Sequence, residues 1–177
     1  METIKLRDEF IKLGQALKAA GLVGSGVEAK EVITEGLVKV NGEAFDKVAR
    51  AIGLGYPGGP KIEKVSHEGD PKASSFPRAK IADGVYDFSF SGLKSAVLNY
   101  LNGCRMKNLP INQADVAASF QQSVTDVLVD NARHAIREYH MDSFAIAGGV
   151  ASNGVIRAAM EQMCREEGVK FIQEVLE

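Results

Sequence analysis

The sequence predicts an α/β fold, because a strand, a helix and a second strand follow one another near its C-terminus. The apolar segment SFAIAG (143–148) has the length of a strand, a helical pattern covers 153–167, and VKFI (169–172) is again a strand. Two strands joined through a helix in this way form a parallel pair with a right-handed crossover. The segments that precede them have mainly the period of helices.

Two helical patterns and a hairpin signal occupy the first 43 residues. DEFIKLGQALKAA (8–20) is amphipathic, and VEAKEVITEG (27–36) predicts a second short helix that ends at its glycine. LVKVNGE (37–43) alternates apolar and polar residues and runs into Asn41-Gly42, the strongest short hairpin signal. A helical pattern follows where the returning strand would be expected, so this signal has no partner in the sequence.

The middle of the chain alternates helices with turn-rich connections. Residues 43–53 predict an amphipathic helix, which the turn GLGYPGGP (53–60) ends. The polar stretch 61–87 is expected to be an ordered loop, or a short helix followed by an excursion. LKSAVLNYLN (93–102) predicts another helix, with a connector over 103–110.

The longest predicted helix covers about residues 113–139, and either Asn112 or Asp115 can cap it. Its apolar residues keep the helical period and are expected in the core: Val116, Phe120, Val124, Val127, Leu128, Ala132 and Ile136.

Composition indicates a soluble globular protein and excludes several classes. Of 177 residues, 45% are apolar and 25% are charged, and the net charge of −2 provides no overall positive field for nucleic acid. No apolar run has the length of a membrane span, and the charged start METIKLRDEF has no signal-peptide core. We therefore expect a cytoplasmic protein with neither a membrane nor DNA as partner. Cys104 and Cys164 lack metal-type spacing and are interpreted as reduced thiols.

The segment FAIAGGVASNGVIRAAM (144–160) bends at Gly148-Gly149 between strand and helix. Glycine lets a ligand approach the backbone, and a helix N-terminus offers unpaired amide donors, so the pattern is typical of a phosphate or nucleotide cradle. Asn153 adds a side chain that can donate and accept. The alternative is that Asn153 only caps its own helix while the glycines let helix and strand pack closely. The residues alone leave both interpretations open.

The turn GLGYPGGP is a second place where backbone could meet a flat ligand, although a tight connector has the same composition. Asp46, on the helix before it, is ordinarily a solvated charge, but facing a cleft its carboxylate could hold ribose hydroxyls. The three histidines have no metal-ligand spacing, and the sequence singles out no metal site and no catalytic residue.

From Gly42 to about Phe171 the sequence resembles the tRNA adenosine threonylcarbamoyltransferase family, long known as glycoprotease or O-sialoglycoprotein endopeptidase. Five strings carry the resemblance, in the family's order: GEAFDKVARAIGLGYPGGP, FPR, DFSFSGLKSAV, DVAASFQQSV and AGGVASNGVIR. The resemblance implies part of an actin-like ATPase lobe. It also implies transfer of a threonylcarbamoyl group from an adenylate to the N6 amine of tRNA adenosine 37, with tRNA and other subunits of the transfer system as partners.

By the same resemblance, Asp46 would bind ribose hydroxyls, Gly59 would line the ligand, and Asn153 with Gly148-Gly149 would lie at its adenosine and phosphates. The expected ligand is an adenine nucleotide, either ATP or threonylcarbamoyl-AMP. The family's first lobe, its His-x-x-x-His metal pair and its later Thr-Asp-Asn segment have no counterpart here. We therefore expect no family metal ion in this chain and a chain that is incomplete for catalysis.

Residues 3–43 resemble the RNA-binding domain of ribosomal protein S-four in its short free-standing form, through EAKEVITEG and VKVNG. The implied domains are an RNA-binding-like helical segment over 1–42 and a partial actin-like transferase lobe over 43–177. Lys18 and Lys30 are the expected RNA-binding residues, although lysines interleaved with acids are ordinarily a solvated surface. The alternatives to a transferase are therefore a non-catalytic RNA-binding module or a chimeric chain without activity.

Overall fold

The computed structural model describes residues 42–78, 90–146 and 152–173, which all belong to one compact unit. Within these ranges five helices and one two-stranded sheet form an α/β arrangement. In chain order the elements are α1 (Gly42–Ala51), α2 (Gly58–Ser66), α3 (Ser91–Met106), α4 (Gln113–Glu138), β1 (Ser143–Ile146), α5 (Gly154–Glu167) and β2 (Lys170–Gln173).

Helix α4 is the longest element and packs against α2, α3 and α5. Of the two caps that the sequence allows, Asn112 is the one used: its side-chain oxygen accepts from the Ala114 and Asp115 amides at 3.0 and 3.4 Å. The apolar period of the sequence predicted the buried side correctly, because every expected core position of α4 is buried: Val116, Phe120, Val124, Val127, Leu128, Ala132 and Ile136.

Helices α1 and α2 pack against each other and are joined by a tight turn. The ring of Phe45 in α1 meets that of Phe120 in α4 edge to face, with centroids 5.1 Å apart. Gly53 and Gly55 in the turn have φ values of 85° and 77°, which residues other than glycine rarely adopt. Helix α2 begins at Gly58, inside the predicted turn 53–60, so that prediction is wrong for its last three residues. The helix continues to Ser66, and a short helix there is one of the two alternatives predicted for 61–87.

Helix α3 continues beyond its predicted end, so the predicted connector over 103–110 is wrong in its first part. Gly103 lies inside the helix, and its carbonyl accepts from the Lys107 amide at 3.2 Å. The buried row Leu93, Val97 and Leu101 extends to Cys104. This tertiary packing outweighs the low helix propensity of a single glycine.

Strands β1 and β2 pair in parallel, with Ser143 opposite Lys170 and Ile146 opposite Gln173. Helix α5 connects them and ends at Gly168, whose φ of 70° is the left-handed conformation of a helix C-terminus. The strand–helix–strand prediction is therefore confirmed. Cys104 and Cys164 are both buried and free, as expected for reduced thiols.

None of the helices in the described ranges combines the length and the apolar character that crossing a membrane requires.

Candidate functional site

The carboxylate of Asp46 lies at the N-terminus of α2. Its Oδ1 accepts from the Gly58 amide at 2.7 Å, where Pro57 provides no side-chain cap. A carboxylate at this end of a helix is stabilised by the helix dipole. A Cβ atom on Gly58 would collide with the carbonyl oxygen of Phe45 and the Cα of Asp46. Helices α1 and α2 therefore touch backbone to backbone at this point.

Gly59 is the next residue of α2, and the space beside it is open. A Cβ atom built on Gly59 has no neighbour within 4 Å. Residues four apart share one face of a helix, so Glu63 lies on the same face as Gly59. Its Oε1 accepts from the amide of Gly154, the first residue of α5, at 2.6 Å. Glu63 therefore connects the open face of α2 to the start of α5.

Asn153 is the N-cap of α5 and is 6% exposed. Its Oδ1 accepts from the amides of Val155 and Ile156, each at 3.1 Å. Its Nδ2 donates to Oε1 of Gln121 in α4 at 2.7 Å. Both polar ends of this side chain therefore have partners inside the protein.

The contacts continue from Gln121 to α2. Its Nε2 donates to Oγ of Ser66 at 2.8 Å, and this hydroxyl donates to the Glu63 carbonyl at 2.7 Å. Since Glu63 also holds Gly154, which follows Asn153 in the chain, the contacts close into a ring. We call Gln121, Asn153, Gly154, Glu63 and Ser66 the polar ring.

The first three amides of α5 are all bonded within the protein. Gly154 donates to Glu63, and Val155 and Ile156 donate to Asn153. The prediction that this helix N-terminus offers unpaired donors is therefore wrong for these three amides. The capping alternative for Asn153 describes its observed contacts correctly, and a role toward a ligand stays a prediction.

The structure brings three predicted site residues to one corner of the unit. Asp46 holds Gly58, which is adjacent to Gly59, and Glu63 on the Gly59 face holds the residue after Asn153. We call the surface around Asp46, Gly59, Glu63 and Asn153 the α2 corner. The other predicted residues lie outside the described residues: Gly148, Gly149, Lys18 and Lys30.

Sequence reasoning did not identify Glu63 or Gln121. Glu63 could have been found from its position four residues after Gly59, since this places both on one helical face. Gln121 is a polar residue inside the apolar stripe of α4, directly after Phe120, and that interruption is its only signal in the sequence. The partners of the two residues lie 91 and 32 positions away, and no periodicity connects them.

Within the described ranges, no three His, Cys, Asp or Glu side chains are grouped as metal ligands. We assign none of them to a metal ion.

Comparison with known protein families assigns the chain to one of them. The TsaD family, described as tRNA N6-adenosine threonylcarbamoyltransferase, matches residues 16–174. The chain belongs to this family. This match begins at residue 16, ahead of Gly42, the residue at which the sequence analysis placed the start of the resemblance. The resemblance to the family is confirmed. The RNA-binding resemblance of residues 3–43 stays a prediction.

Several clostridial members of the TsaD family are similar to this chain, and each is named tRNA N6-adenosine threonylcarbamoyltransferase. The protein of Clostridium botulinum strain Hall is 57% identical over 142 residues, which are 80% of this chain and 42% of the relative. That of Clostridium perfringens strain 13 is 54% identical over the same length. That of Clostridium novyi strain NT is 66% identical over 120 residues, 67% of this chain and 35% of the relative. The matched region thus spans less than half the length of these relatives.

Proposed function

We propose that this chain is the adenine-nucleotide-binding portion of a tRNA threonylcarbamoyl transfer system, with part of an actin-like fold. Family membership supports the reaction class. The observation that carries the assignment to this portion is the α2 corner. Asp46, Gly59 and Asn153 come from three separate segments of the sequence, and α1, α2 and α5 bring them together.

The chemistry of the α2 corner favours the hydroxyl groups of a nucleoside over its phosphates. Asp46 and Glu63 each use one carboxylate oxygen for a backbone amide. A carboxylate has about four acceptor positions, so each can still accept from a ribose hydroxyl. The amides that would attract a phosphate at the start of α5 are already bonded, and two carboxylates repel an anion. The open space beside Gly59 leaves room for a flat ligand.

In the proposed system, this portion would hold the nucleoside end of the threonylcarbamoyl adenylate. The transfer forms a C–N bond between the N6 amine of a tRNA adenosine and the carbamoyl carbon. The C–O bond to the adenylate phosphate breaks, AMP leaves, and N6 loses a proton. The described residues bind and orient in this scheme, and we assign none of them to the bond-making step.

Isothermal titration calorimetry with adenosine and AMP tests the nucleotide site. Asp46→Asn keeps an oxygen for the Gly58 amide but removes the charge that strengthens a hydrogen bond to a ribose hydroxyl. The loss of about 1 kcal/mol predicts a roughly fivefold weaker adenosine affinity. Asp130→Asn, which neutralises an exposed carboxylate on α4, is the matched control and should bind as the unchanged chain does. A folded protein that binds neither ligand would refute the proposal.

Transfer RNA and other subunits of the transfer system are the proposed partners, and the rival function is an RNA-binding module in residues 3–43. A gel shift with tRNA separates the two. If Lys18→Glu or Lys30→Glu abolishes the shift while Asn153→Ala leaves it unchanged, the RNA-binding module is the better description.

A further inference from the structure

Gln121 is the member of the polar ring that comes from α4, and it does not belong to the predicted ligand surface. It is 2% exposed and lies on the side of α4 that faces α2 and α5. Its two amide atoms bind different elements: Oε1 accepts from Asn153 in the cap of α5, and Nε2 donates to Ser66 in α2. Gln121 therefore links both α2 and the N-terminus of α5 to α4 through one side chain.

The orientation of the Asn153 amide depends on Gln121. Because Oδ1 of Asn153 accepts from two backbone amides of α5, its Nδ2 must point the other way. There it is buried and needs an acceptor, which Oε1 of Gln121 supplies. Without this acceptor, the cap could keep its bonds only by leaving a buried donor unpaired.

Gln121 acts on Glu63 through Ser66. The Ser66 hydroxyl accepts from Gln121 and donates to the carbonyl of Glu63, one turn earlier in α2. This gives the hydroxyl one fixed direction and ties the turn of α2 that carries Glu63 to α4. The carboxylate of Glu63 then reaches Gly154. The two sides of the α2 corner are thus joined through Gln121 as well as through the direct bond from Gly154 to Glu63.

We propose that Gln121 is a positioning residue for nucleoside recognition: it sets the amide of Asn153 and the turn of Glu63 without touching the ligand. Because this role concerns the nucleoside site, it rests on the proposed function. The positioning of the α5 cap can nevertheless be measured without any ligand.

The first experiment compares Gln121→Met with Gln122→Met. Methionine is similar in size to glutamine but cannot accept from Asn153 or donate to Ser66. Gln122, the next residue of α4, instead donates to Asp126 on its own helix, so the same substitution there is a matched control. Amide hydrogen exchange at Val155 and Ile156, followed by NMR, reports the Asn153 cap. Adenosine titration reports the site.

We expect Gln121→Met to speed exchange at these two amides about tenfold, relative to amides in the middle of α3, and to weaken adenosine binding by a similar factor. Gln122→Met should change neither quantity. Unchanged exchange at Val155 and Ile156 would overturn the inference, and so would faster exchange with unchanged adenosine affinity. If the unchanged chain binds no adenosine, the proposed function fails, and the exchange rates alone decide whether Gln121 positions the cap.

Gln121→Glu provides a second variant that distinguishes positioning from general stability. When protonated, the new carboxyl has a carbonyl oxygen that can accept from Asn153 and a hydroxyl that can donate to Ser66, the two roles of the glutamine amide. When ionised, it has only acceptors, so the Ser66 hydroxyl must turn away from Glu63. Glu63 on α2 is a charged member of the ring, and the Arg157 guanidinium on α5 lies near Gly154. Both are present in the unchanged chain, so affinities are compared at each pH.

We expect adenosine affinity of Gln121→Glu to approach that of the unchanged chain at low pH and to fall away as the pH rises. A variant that only loosened the fold would change the melting temperature without this difference in pH profile. Equal affinity of Gln121→Glu and the unchanged chain at every pH would overturn the inference even if Gln121→Met did not fold.

Discussion

Gly58 and Gly59 are consecutive residues of α2 with opposite surroundings. A side chain on Gly58 would collide with backbone atoms of α1, which cannot turn aside as a flexible side chain can. A side chain on Gly59 would meet open space. The first glycine is therefore required for the close approach of two helices, whereas no such contact requires the second.

The contrast predicts different results for the same substitution at adjacent positions. Gly58→Ala should lower the free energy of unfolding by about 1–3 kcal/mol, because the added methyl overpacks the contact with α1. Gly59→Ala should cause no loss, because its methyl has no neighbour and alanine is the better helix former. Urea unfolding followed by circular dichroism measures both. Equal stability of the two variants would contradict the close contact between α1 and α2.

At the residue scale, the sequence indicated some residues of the α2 corner and not others. Turn chemistry and the family resemblance indicated Asp46, Gly59 and Asn153, because turns and helix ends require particular residue types at nearby positions in the sequence. Gln121 and Glu63 were not, since their meaning depends on residues that the fold brings together. The amides of α5 show the same limit: a helix N-terminus is visible in the sequence, but its distant acceptor, Glu63, is not.

At the scale of elements, α4 is held to α5 by a cluster of charges at the end of α5. Glu167, the last residue of α5, accepts from Arg133 at 2.6 Å and from Arg137 at 2.7 and 2.8 Å. A carboxylate at a helix C-terminus is disfavoured by the helix dipole, and the two guanidinium groups offset this. The hydrogen bond from Arg137 is the largest of the causes that lower the pKa of Glu167 from 4.5 to about 2.

This cluster predicts how stability depends on pH. The folded state lowers the pKa of Glu167, so its contribution to stability is complete above the ordinary value of 4.5 and is lost as the pH falls toward about 2. The melting temperature of Glu167→Gln should therefore lie below that of the unchanged chain near neutral pH, and the gap should close between pH 4.5 and 2.

Glu161→Gln is the control for that measurement. Glu161 pairs with Arg165 within α5, and its side chain is 50% exposed, against 11% for Glu167. Exposed pairs of this kind contribute little, so the control should melt as the unchanged chain does across the same pH range. A gap for Glu167→Gln that stayed constant with pH would show that the carboxylate charge is not what stabilises the contact.

Elements with a complete apolar period were predicted most reliably. The core positions of α4 and the strand–helix–strand order of β1, α5 and β2 are confirmed because one buried face or one short apolar run specifies each of them. The end of α3 was predicted too early, since Gly103 has a low propensity for helix, and only packing of the following turn keeps it helical. The predicted domain boundary after residue 42 falls at the edge of the described residues and stays a prediction.

At the scale of the whole molecule, one continuous core joins all five helices of the described ranges and reaches the sheet. Helix α4 lies at its centre, since it packs against α2, α3 and α5. The polar ring crosses the same region, so α2 and α5 are joined to α4 by hydrogen bonds as well as by apolar contacts. An arrangement of this kind is expected to unfold cooperatively.

The two cysteines test this cooperativity, because they lie in two different helices that pack against α4. Cys104 is buried in α3 and Cys164 in α5, and burial raises the pKa of the Cys164 thiol. A buried thiol with little thiolate reacts slowly, so labelling by a thiol reagent should require unfolding. In the single variants Cys104→Ser and Cys164→Ser, the remaining cysteine should become reactive at the same position relative to the urea midpoint seen by circular dichroism. Labelling of Cys164 well before that midpoint, with Cys104 still protected, would instead show that α5 separates from α4 while α3 remains packed. In that case the polar ring would open before the core does, and the α2 corner would be the least stable part of the molecule.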